Sequence, residues 1–469
     1  MLRNLVNPAT GLAIEAIADA TPGEVGAKVA AATKAAADWE RALPSQRSLV
    51  LQRLADLVER HADELSRLEV EETGKPWAVM RDGELPFAVD NLRFFAAAAR
   101  SLHGTAAGEF STGYTSMLLR RPVGVVAAIT PWNFPLVMAV WKAGAALAAG
   151  CTVVLKPSPM TPRSAIRLAE LAVEAGLPDS AFSVVTGGPE VGEALLTAAG
   201  IDMASFTGSS ATGRRVMALA AERTLPVHLE LGGKAPIVVF ADADLDAAAA
   251  AAALAATYNS GQDCTAATRV YVESSAHDGL VDALAARMES ISTGDPLDPA
   301  TDIGPLISSE HRERVDGFVQ RASAGGGRVV AGGRAPDGDG WFYRPTLVAG
   351  LTQDCELVQD EVFGPVLAIA PFDDERHAIA LANDSRYALA SSVWTSQVDR
   401  GLRVAHQIRA GVTWVNDHLP IASEMPHGGR RASGFGKDMG HDAVLGFTVG
   451  HHVMVKHSEP VARSGFRPA

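Results

Sequence analysis

Between residues 22 and 72 the apolar positions fall at helical spacing. Thr21-Pro22 opens the stretch with an N-cap residue and a proline at the first helical position. Leu49, Leu51, Leu54, Leu57 and Val58 form a stripe at spacings of three and four. Asp90 to Leu102 reads as a further helix. The rhythm changes near Val123, where Val123-Gly124-Val125-Val126-Ala127-Ala128-Ile129 is continuously apolar and stops at Thr130-Pro131, the pattern of a buried strand. A helix (Val137 to Ala149), a strand (Thr152 to Leu155), a helix (Pro162 to Ala175), a strand near Phe182 to Val185 and a helix near Val191 to Ala199 follow. Strands alternating with helices predict parallel pairing in a doubly wound sheet, with a nucleotide site at the strand ends.

A second α/β segment runs from about Ala235 to Ala432. Its strand candidates are Ile237 to Phe240, Val270 to Val272 and Val366 to Ile369, with loops at Gly325-Gly326-Gly327 and Gly332-Gly333. The last apolar strand, His452 to Val455, has a candidate partner in Ser116 to Arg121. The chain has 469 residues, too many for one core, and domain size suggests about three units.

A net charge of −13 makes nucleic acid a poor partner, because phosphate binding needs a basic face. The longest alanine-rich run, Ala247 to Ala256, is too short for a membrane span, and the N-terminus has no apolar signal core. Three cysteines, Cys151, Cys264 and Cys355, cannot build a disulfide framework, so a reducing, cytoplasmic compartment is expected. Of the three, only Cys264 sits in a polar turn, Asn259-Ser260-Gly261-Gln262-Asp263-Cys264-Thr265. A thiol there is either a nucleophile open to substrate or a small buried hydrophobe.

Four further segments carry chemistry. Lys156-Pro157-Ser158-Pro159 follows a parallel strand, where a lysine reaches ribose or phosphate or is simply a surface residue. Phe206-Thr207-Gly208-Ser209-Ser210-Ala211-Thr212-Gly213 precedes a helix whose amino end either cradles phosphate or is plainly capped. Leu229-Glu230-Leu231-Gly232-Gly233-Lys234 sets a carboxylate among apolar residues, as a base with a raised pKa or as half of a salt bridge. In Trp132-Asn133-Phe134-Pro135 the asparagine amide is either an oxyanion donor or a turn residue.

Together, in this order, these segments and Glu361-Val362-Phe363-Gly364-Pro365 resemble the NAD(P)-dependent, non-phosphorylating aldehyde dehydrogenases, from Asn7-Pro8 to Gly434-Phe435-Gly436. The resemblance implies a Rossmann-like cofactor domain (1–110 and 123–232), an α/β catalytic domain (233–445) and bridging β segments (111–122 and 446–469) that assemble a homodimer or homotetramer. It implies that Cys264 attacks the aldehyde carbon and that Asn133 and the Cys264 amide hold the oxyanion. Glu230 would activate the water that hydrolyses the thioester, and Lys142 would relay its proton. Cofactor contacts would come from Thr130, Pro131, Trp132, Lys156, Ser158, Pro159, Gly208, Ser209, Gly213, Leu231, Glu361 and Phe363. No metal is expected. Glu230 favours release of a free acid over transfer to coenzyme A. NAD is the expected cofactor. The family usually has a glutamate where Pro159 stands, and its absence leaves NADP open.

Val89 to Ala96, Gly261 to Arg269, Ser423 to Gly429 and Gly436 to Met439 look like the 4-aminobutyraldehyde dehydrogenases. The expected substrate is therefore an ω-aminoaldehyde. Glu84 or Asp90 would meet its ammonium, beside Trp141 and Trp414, unless both acids are solvated helix charges. Betaine aldehyde, phenylacetaldehyde and succinate semialdehyde are alternative substrates, and a non-catalytic relative is the remote one.

Overall fold

In the computed structural model, which describes residues 2–104 and 107–457, the run that begins at Val123 is the strand Val125–Ile129. Thr152–Lys156 pairs with it on one side and Met203–Thr207 on the other. Phe182–Val184 extends the first side and Val227–Glu230 the second, all parallel. The chain thus builds outward one way from its first strand and then returns to build the other way. That reversal opens a crevice at the carboxyl ends of Val125–Ile129 and Met203–Thr207. Thr130 to Asn133 leave the first strand and Gly208-Ser209 the second, so two of the motifs meet there. Gly434–Phe435 adds an antiparallel edge, with Gly434 opposite Glu230.

The second sheet has seven strands in the order Arg328–Ala331, Thr346–Ala349, Val366–Phe372, Ala267–Glu273, Ala235–Val239, Ala390–Trp394, Val412–Val415. All are parallel except Arg328–Ala331. Cys264 lies just before the amino end of Ala267–Glu273. Thr448–Lys456 pairs antiparallel with Tyr114–Pro122, His452 opposite Leu118, and Ala107–Ser111 completes a three-stranded sheet. Residues 458–469 of the expected terminal segment lie outside the described residues.

Every residue of the helix Pro135–Ala149 is buried, as befits a helix apolar on all sides at the centre of a core. Leu85–Ala98 packs on it closely because a side chain at Gly144 would lie 2.7 Å from the Phe95 ring.

Three details depart from the pattern reading. The helical stretch 22–72 is three helices, Pro22–Arg41, Pro44–Arg60 and Ala62–Thr73. Pro44 offers no N–H to continue the first, and Gly74, at φ 73°, ends the last. Leu49 leaves the apolar stripe: it is 46% exposed while Leu51, Leu54, Leu57 and Val58 are buried. The helix read from Asp90 to Leu102 is Leu85–Ala98. Ala390–Trp394 escapes an apolar pattern because Ser391 and Ser392 occupy it, both fully buried and hydrogen-bonded to Thr413 Oγ1 (2.8 Å) and His418 Nδ1 (2.9 Å).

Candidate active site

Asn259 (φ 49°), Ser260 (φ 58°) and Gly261 (φ 71°) are three consecutive left-handed residues. Each non-glycine in that conformation costs about 1–2 kcal/mol. Local bonds hold them there. Asn259 Nδ2 donates to the Gln262 carbonyl (3.2 Å), and Gln262 Nε2 returns a bond to the Asn259 carbonyl (3.1 Å). Ser260 Oγ donates to the Gly304 carbonyl (2.8 Å), and Gln262 Oε1 accepts from the Ile307 N–H (2.9 Å). A side chain at Gly261 would lie 2.2 Å from the Gly364 backbone, so the cysteine turn is pressed against the Glu361–Pro365 motif. Backbone strain fixed this firmly is a mark of functional turns.

The turn delivers Cys264 to the place where two cavities meet. Cys264, Phe134, Met138, Thr207, Glu230 and Leu231 line both. One, of about 280 Å³, continues past Pro131, Trp132, Gly208, Ser209, Glu361 and Phe363. The other, of about 440 Å³, continues past Glu84, Phe87, Trp141, Tyr258, Asp263 and His418. Burial, with the carboxylates of Asp263, Glu361 and Glu230 nearby, pushes the Cys264 thiol well above its ordinary pKa, so it rests protonated.

Asn133 is buried beside this turn. Its Nδ2 donates to the Gln262 carbonyl (3.0 Å), which leaves the second amide hydrogen free. Its backbone carbonyl accepts from Asn259 Nδ2 (2.9 Å) and Lys75 Nζ (3.0 Å). Lys75 is fully buried between Glu84 (2.5 Å) and Glu69 (3.6 Å). Glu69 also accepts from Ser164 Oγ (2.8 Å) and the Leu136 N–H.

Glu230 ends its strand with neither carboxylate oxygen hydrogen-bonded among the described residues. Burial, then the nearby Asp438 carboxylate, raises its pKa well above the ordinary value, against the pull of Lys142 and Lys437. Lys142 Nζ pairs with both Asp438 oxygens (3.1 and 2.9 Å), not with Glu230. His228 Nε2 stands between the two acids, 3.5 Å from Glu230 Oε1 and 3.8 Å from Asp438 Oδ1.

In the smaller cavity Ser209 caps the helix Ser210–Ala221, its Oγ accepting from the Thr212 N–H (3.2 Å). Gly213, in the first turn, admits Leu231, whose side chain would lie 2.6 Å from any Cβ there. Lys156 is buried, and its Nζ reaches only the Pro157 carbonyl (2.9 Å). Burial lowers it to about 8. Ser158 Oγ accepts from the Met160 N–H (3.3 Å), and Pro159 is half-buried beside it. Thr130 Oγ1 and Thr207 Oγ1 are buried with no hydrogen-bond partner among the described residues. Glu361 Oε1 accepts from the Gly233 N–H (2.9 Å). Phe363, at φ 61°, packs edge-on against Trp132 at 5.3 Å. His311 and Arg314, which no motif signalled, donate to the carbonyls of Phe363 (2.6 Å) and of Val362 and Glu361 (2.6 and 2.7 Å).

The aldehyde dehydrogenase family model matches residues 3–453. The chain belongs to the aldehyde dehydrogenase family. It is 41% identical over 445 residues to a betaine aldehyde dehydrogenase of Cereibacter sphaeroides, covering 95% of this chain and 92% of that one. It is 40% identical over 464 residues to a phenylacetaldehyde dehydrogenase of Pseudomonas fluorescens, covering 97% and 92%. A crystal structure of betaine aldehyde dehydrogenase from Staphylococcus aureus in complex with NAD+ superposes with a TM-score of 0.97 at 33% identity, covering 100% of this chain and 94% of that one.

Of the residues expected to meet the substrate of this aldehyde dehydrogenase, two line the larger cavity and two do not. Trp141 lines it, edge-on to Phe87 at 6.3 Å. Glu84 lines it too, but its carboxylate is already paired with Lys75, and burial raises it to about 7. Asp90 faces away and accepts from Ser423 Oγ. Trp414 is outside as well: its Nε1 donates to the Pro420 carbonyl (2.7 Å) and its ring lies on His418 at 4.6 Å. The acid nearest the thiol is instead Asp263, whose carboxylate accepts from the Thr265 N–H (2.9 Å) and Oγ1 (3.0 and 3.1 Å).

Lys75 is 58 residues from the Asn133 carbonyl and Asp438 is 296 from Lys142, separations that no local signal reveals. His228 did carry one. It precedes Glu230 by two residues on a strand, so both side chains share one face.

Proposed function

We propose that this enzyme oxidises an ω-aminoaldehyde such as 4-aminobutanal to the free acid with NAD. The observation that carries the reading is the position of Cys264 at the junction of two cavities, with the Asn133 amide on one side and the Glu230 carboxyl on the other.

The residues of the smaller cavity suit a dinucleotide. A capped helix amino end, two unpartnered threonine hydroxyls and a buried lysine without an acid partner all await a polar, anionic group. Lys156, Ser209 and Glu361 would hold it, with Trp132 and Phe363 as its apolar wall. When bound, NAD accepts the hydride that leaves the substrate carbon. Cys264 passes its proton to the Glu230 carboxylate, which yields it to solvent, and the sulfur bonds to the aldehyde carbon. The Asn133 Nδ2–H and the Cys264 N–H hold the oxygen as it becomes negative. Loss of hydride leaves a thioester on Cys264. Glu230 then takes a proton from water, the water oxygen bonds to the acyl carbon, and the carbon–sulfur bond breaks to free the acid and the thiolate.

The larger cavity supports a cationic nitrogen at the far end of the substrate. Phe87, Phe134, Trp141 and Tyr258 supply rings, and Asp263, at the cysteine end of the cavity, adds a negative charge. The same rings, with the names of two relatives, favour betaine aldehyde as a second reading. NADH formation measured with NAD or NADP against 4-aminobutanal, betaine aldehyde, phenylacetaldehyde and butanal tests this. The proposal expects NAD and the highest kcat/KM on 4-aminobutanal, and equal kcat/KM on butanal would overturn the cationic assignment. Exposed Val449, Met454 and Val455 on the three-stranded sheet support a homodimer or homotetramer that covers them.

A further inference from the structure

The mechanism above leaves His228 without a job, yet it is buried directly beside Glu230. The ring is 5% exposed. Phe447 packs edge-on against it at 6.2 Å. Gly436, at φ 92°, passes so close that a side chain there would lie 2.2 Å from His228 Cδ2. Ser205, paired opposite His228 on the neighbouring strand, sets its Oγ 3.3 Å from Nδ1. The strand of Ser205 and the Phe447 ring bring no charge; Lys142 comes from the central helix, Lys437 and Asp438 from the segment that closes over the strand, with His427 near Asp438, and Glu230 from the strand itself. Among these, Nε2 makes no hydrogen bond, and neither do the two oxygens of Glu230.

The arrangement has one economical explanation. A Ser205 hydroxyl that donates to Nδ1 leaves the proton on Nε2. That N–H then points into the gap between Glu230 and Asp438. We infer that His228 is a positioning residue for Glu230: its Nε2–H holds the carboxyl in a retracted place facing the Asp438–Lys142 pair, from which Glu230 swings to water at the thioester and to which it returns to shed the proton. The distances of 3.5 and 3.8 Å are those of a contact that shortens as Glu230 settles. No proton need reside on the ring, and burial together with Lys142 keeps His228 neutral, near 3. The proton taken from water returns on Glu230, whose raised pKa retains it until solvent in the cavity takes it, while Asp438 stays ionised beside Lys142 and the ring is unchanged at the end of the cycle.

The inference rests on Glu230 acting as the base for hydrolysis, so the test runs H228L, H228Q and E230Q side by side on the enzyme with NAD and aldehyde. Stopped-flow absorbance reads the NADH burst, and steady-state rates are taken across pH. H228L, similar in bulk but without an N–H, should keep the burst and lose at least about tenfold in kcat, with the acid limb of its pH profile moved upward because Glu230 has lost a donor that favours its charged form. H228Q, which keeps an N–H, should recover most of both. H228L with wild-type kcat and an unmoved acid limb overturns the inference, as does equal loss of burst and turnover in H228L and H228Q. Wild-type turnover in E230Q overturns the Glu230 reading as well. A block in E230Q alone removes only His228. If H228L does not fold, S205A carries the test: a severalfold lower kcat with an intact burst is expected, and an unchanged profile overturns the inference.

Discussion

On one flank of Cys264, Lys75 lies against Glu84, Glu69 and the Asn133 carbonyl, with its ammonium surrounded by oxygens. On the other flank Glu230, also buried, has no hydrogen bond to either carboxylate oxygen among the described residues, and neither does Nε2 of His228 beside it. The two clusters are alike in burial and differ in pairing: Glu69 Oε2 and Glu84 Oε1 also lack hydrogen bonds among the described residues, but both carboxylates are paired with the Lys75 ammonium, whereas Glu230 has no Lys or Arg partner there. A buried network tied to one central ammonium is rigid, and here it holds the loop that carries Asn133. A buried group without a hydrogen bond calls for a bound water, a ligand or a second state. On the proposed mechanism the first flank is scaffold and the second is where protons would move.

The comparison breaks most visibly at Glu230. Glu230→Gln should lower steady-state turnover by about 10²–10⁴-fold, the usual contribution of a positioned base, while the first turnover of NADH stays fast. Thermal stability should hold or rise, because a neutral amide replaces a carboxyl buried without partners. A marked fall in melting temperature would put Glu230 with the scaffold.

Lys75→Met should do the reverse. Removing the cation leaves Glu69 and Glu84 buried together, a loss of about 3–5 kcal/mol in stability. Denaturant unfolding measures it. Turnover that survives should show the burst and the steady rate falling together, because Asn133 serves the attack on the aldehyde before any thioester exists. A full burst with slow turnover would move Lys75 to the proton-handling side.

Lys156 extends the same rule to the cofactor cleft. Burial lowers its pKa from the ordinary lysine value to about 8, so the ammonium is present below that pH and lost above it. NAD affinity should be full below pH 8 and fall as pH rises through it. Loss of a charge-assisted bond predicts about a tenfold change. Calorimetric titration across pH 6.5–9.5 (about three units around that value) reads it, and Lys156→Met should bind weakly with no such slope. A slope that persists in that variant assigns the titration to another group.

The two flanks also differed in how far the sequence disclosed them. The strand ends at Thr130 and Thr207, the helix cap at Ser209 and the turn at Cys264 are contiguous motifs, where turn chemistry and hydrophobic period act within a few residues. The alternation of strands and helices was enough to expect a doubly wound sheet. Lys75 is 58 residues from the carbonyl it holds, and Lys142 is 296 from Asp438. Such pairs are made by topology, and no local pattern encodes them. On the substrate side Asp90 has an exposed position on its helix and bonds to Ser423, 333 residues on, whereas Glu84 lines the cavity but is taken by Lys75, only nine residues before it.

Asp263 is the hardest case for the contrast between satisfied and unsatisfied groups. Its Oδ1 accepts from both the N–H and Oγ1 of Thr265, which would rank it as scaffold. Among the described residues its Oδ2 accepts from Thr265 Oγ1 at 3.1 Å, and a carboxylate oxygen has room for a second donor. Burial raises the pKa of Asp263, and a substrate ammonium in the cavity would favour its charged form. Asp263→Asn keeps the acceptor for Thr265 and removes the charge. The ratio of kcat/KM for 4-aminobutanal over butanal should then fall by about tenfold, the worth of one partly solvated charged hydrogen bond. Asp90→Ala, outside the cavity, should leave that ratio unchanged. A ratio unmoved in D263N and lowered in D90A would return the ammonium to the channel mouth and leave Asp263 as part of the turn that carries Cys264.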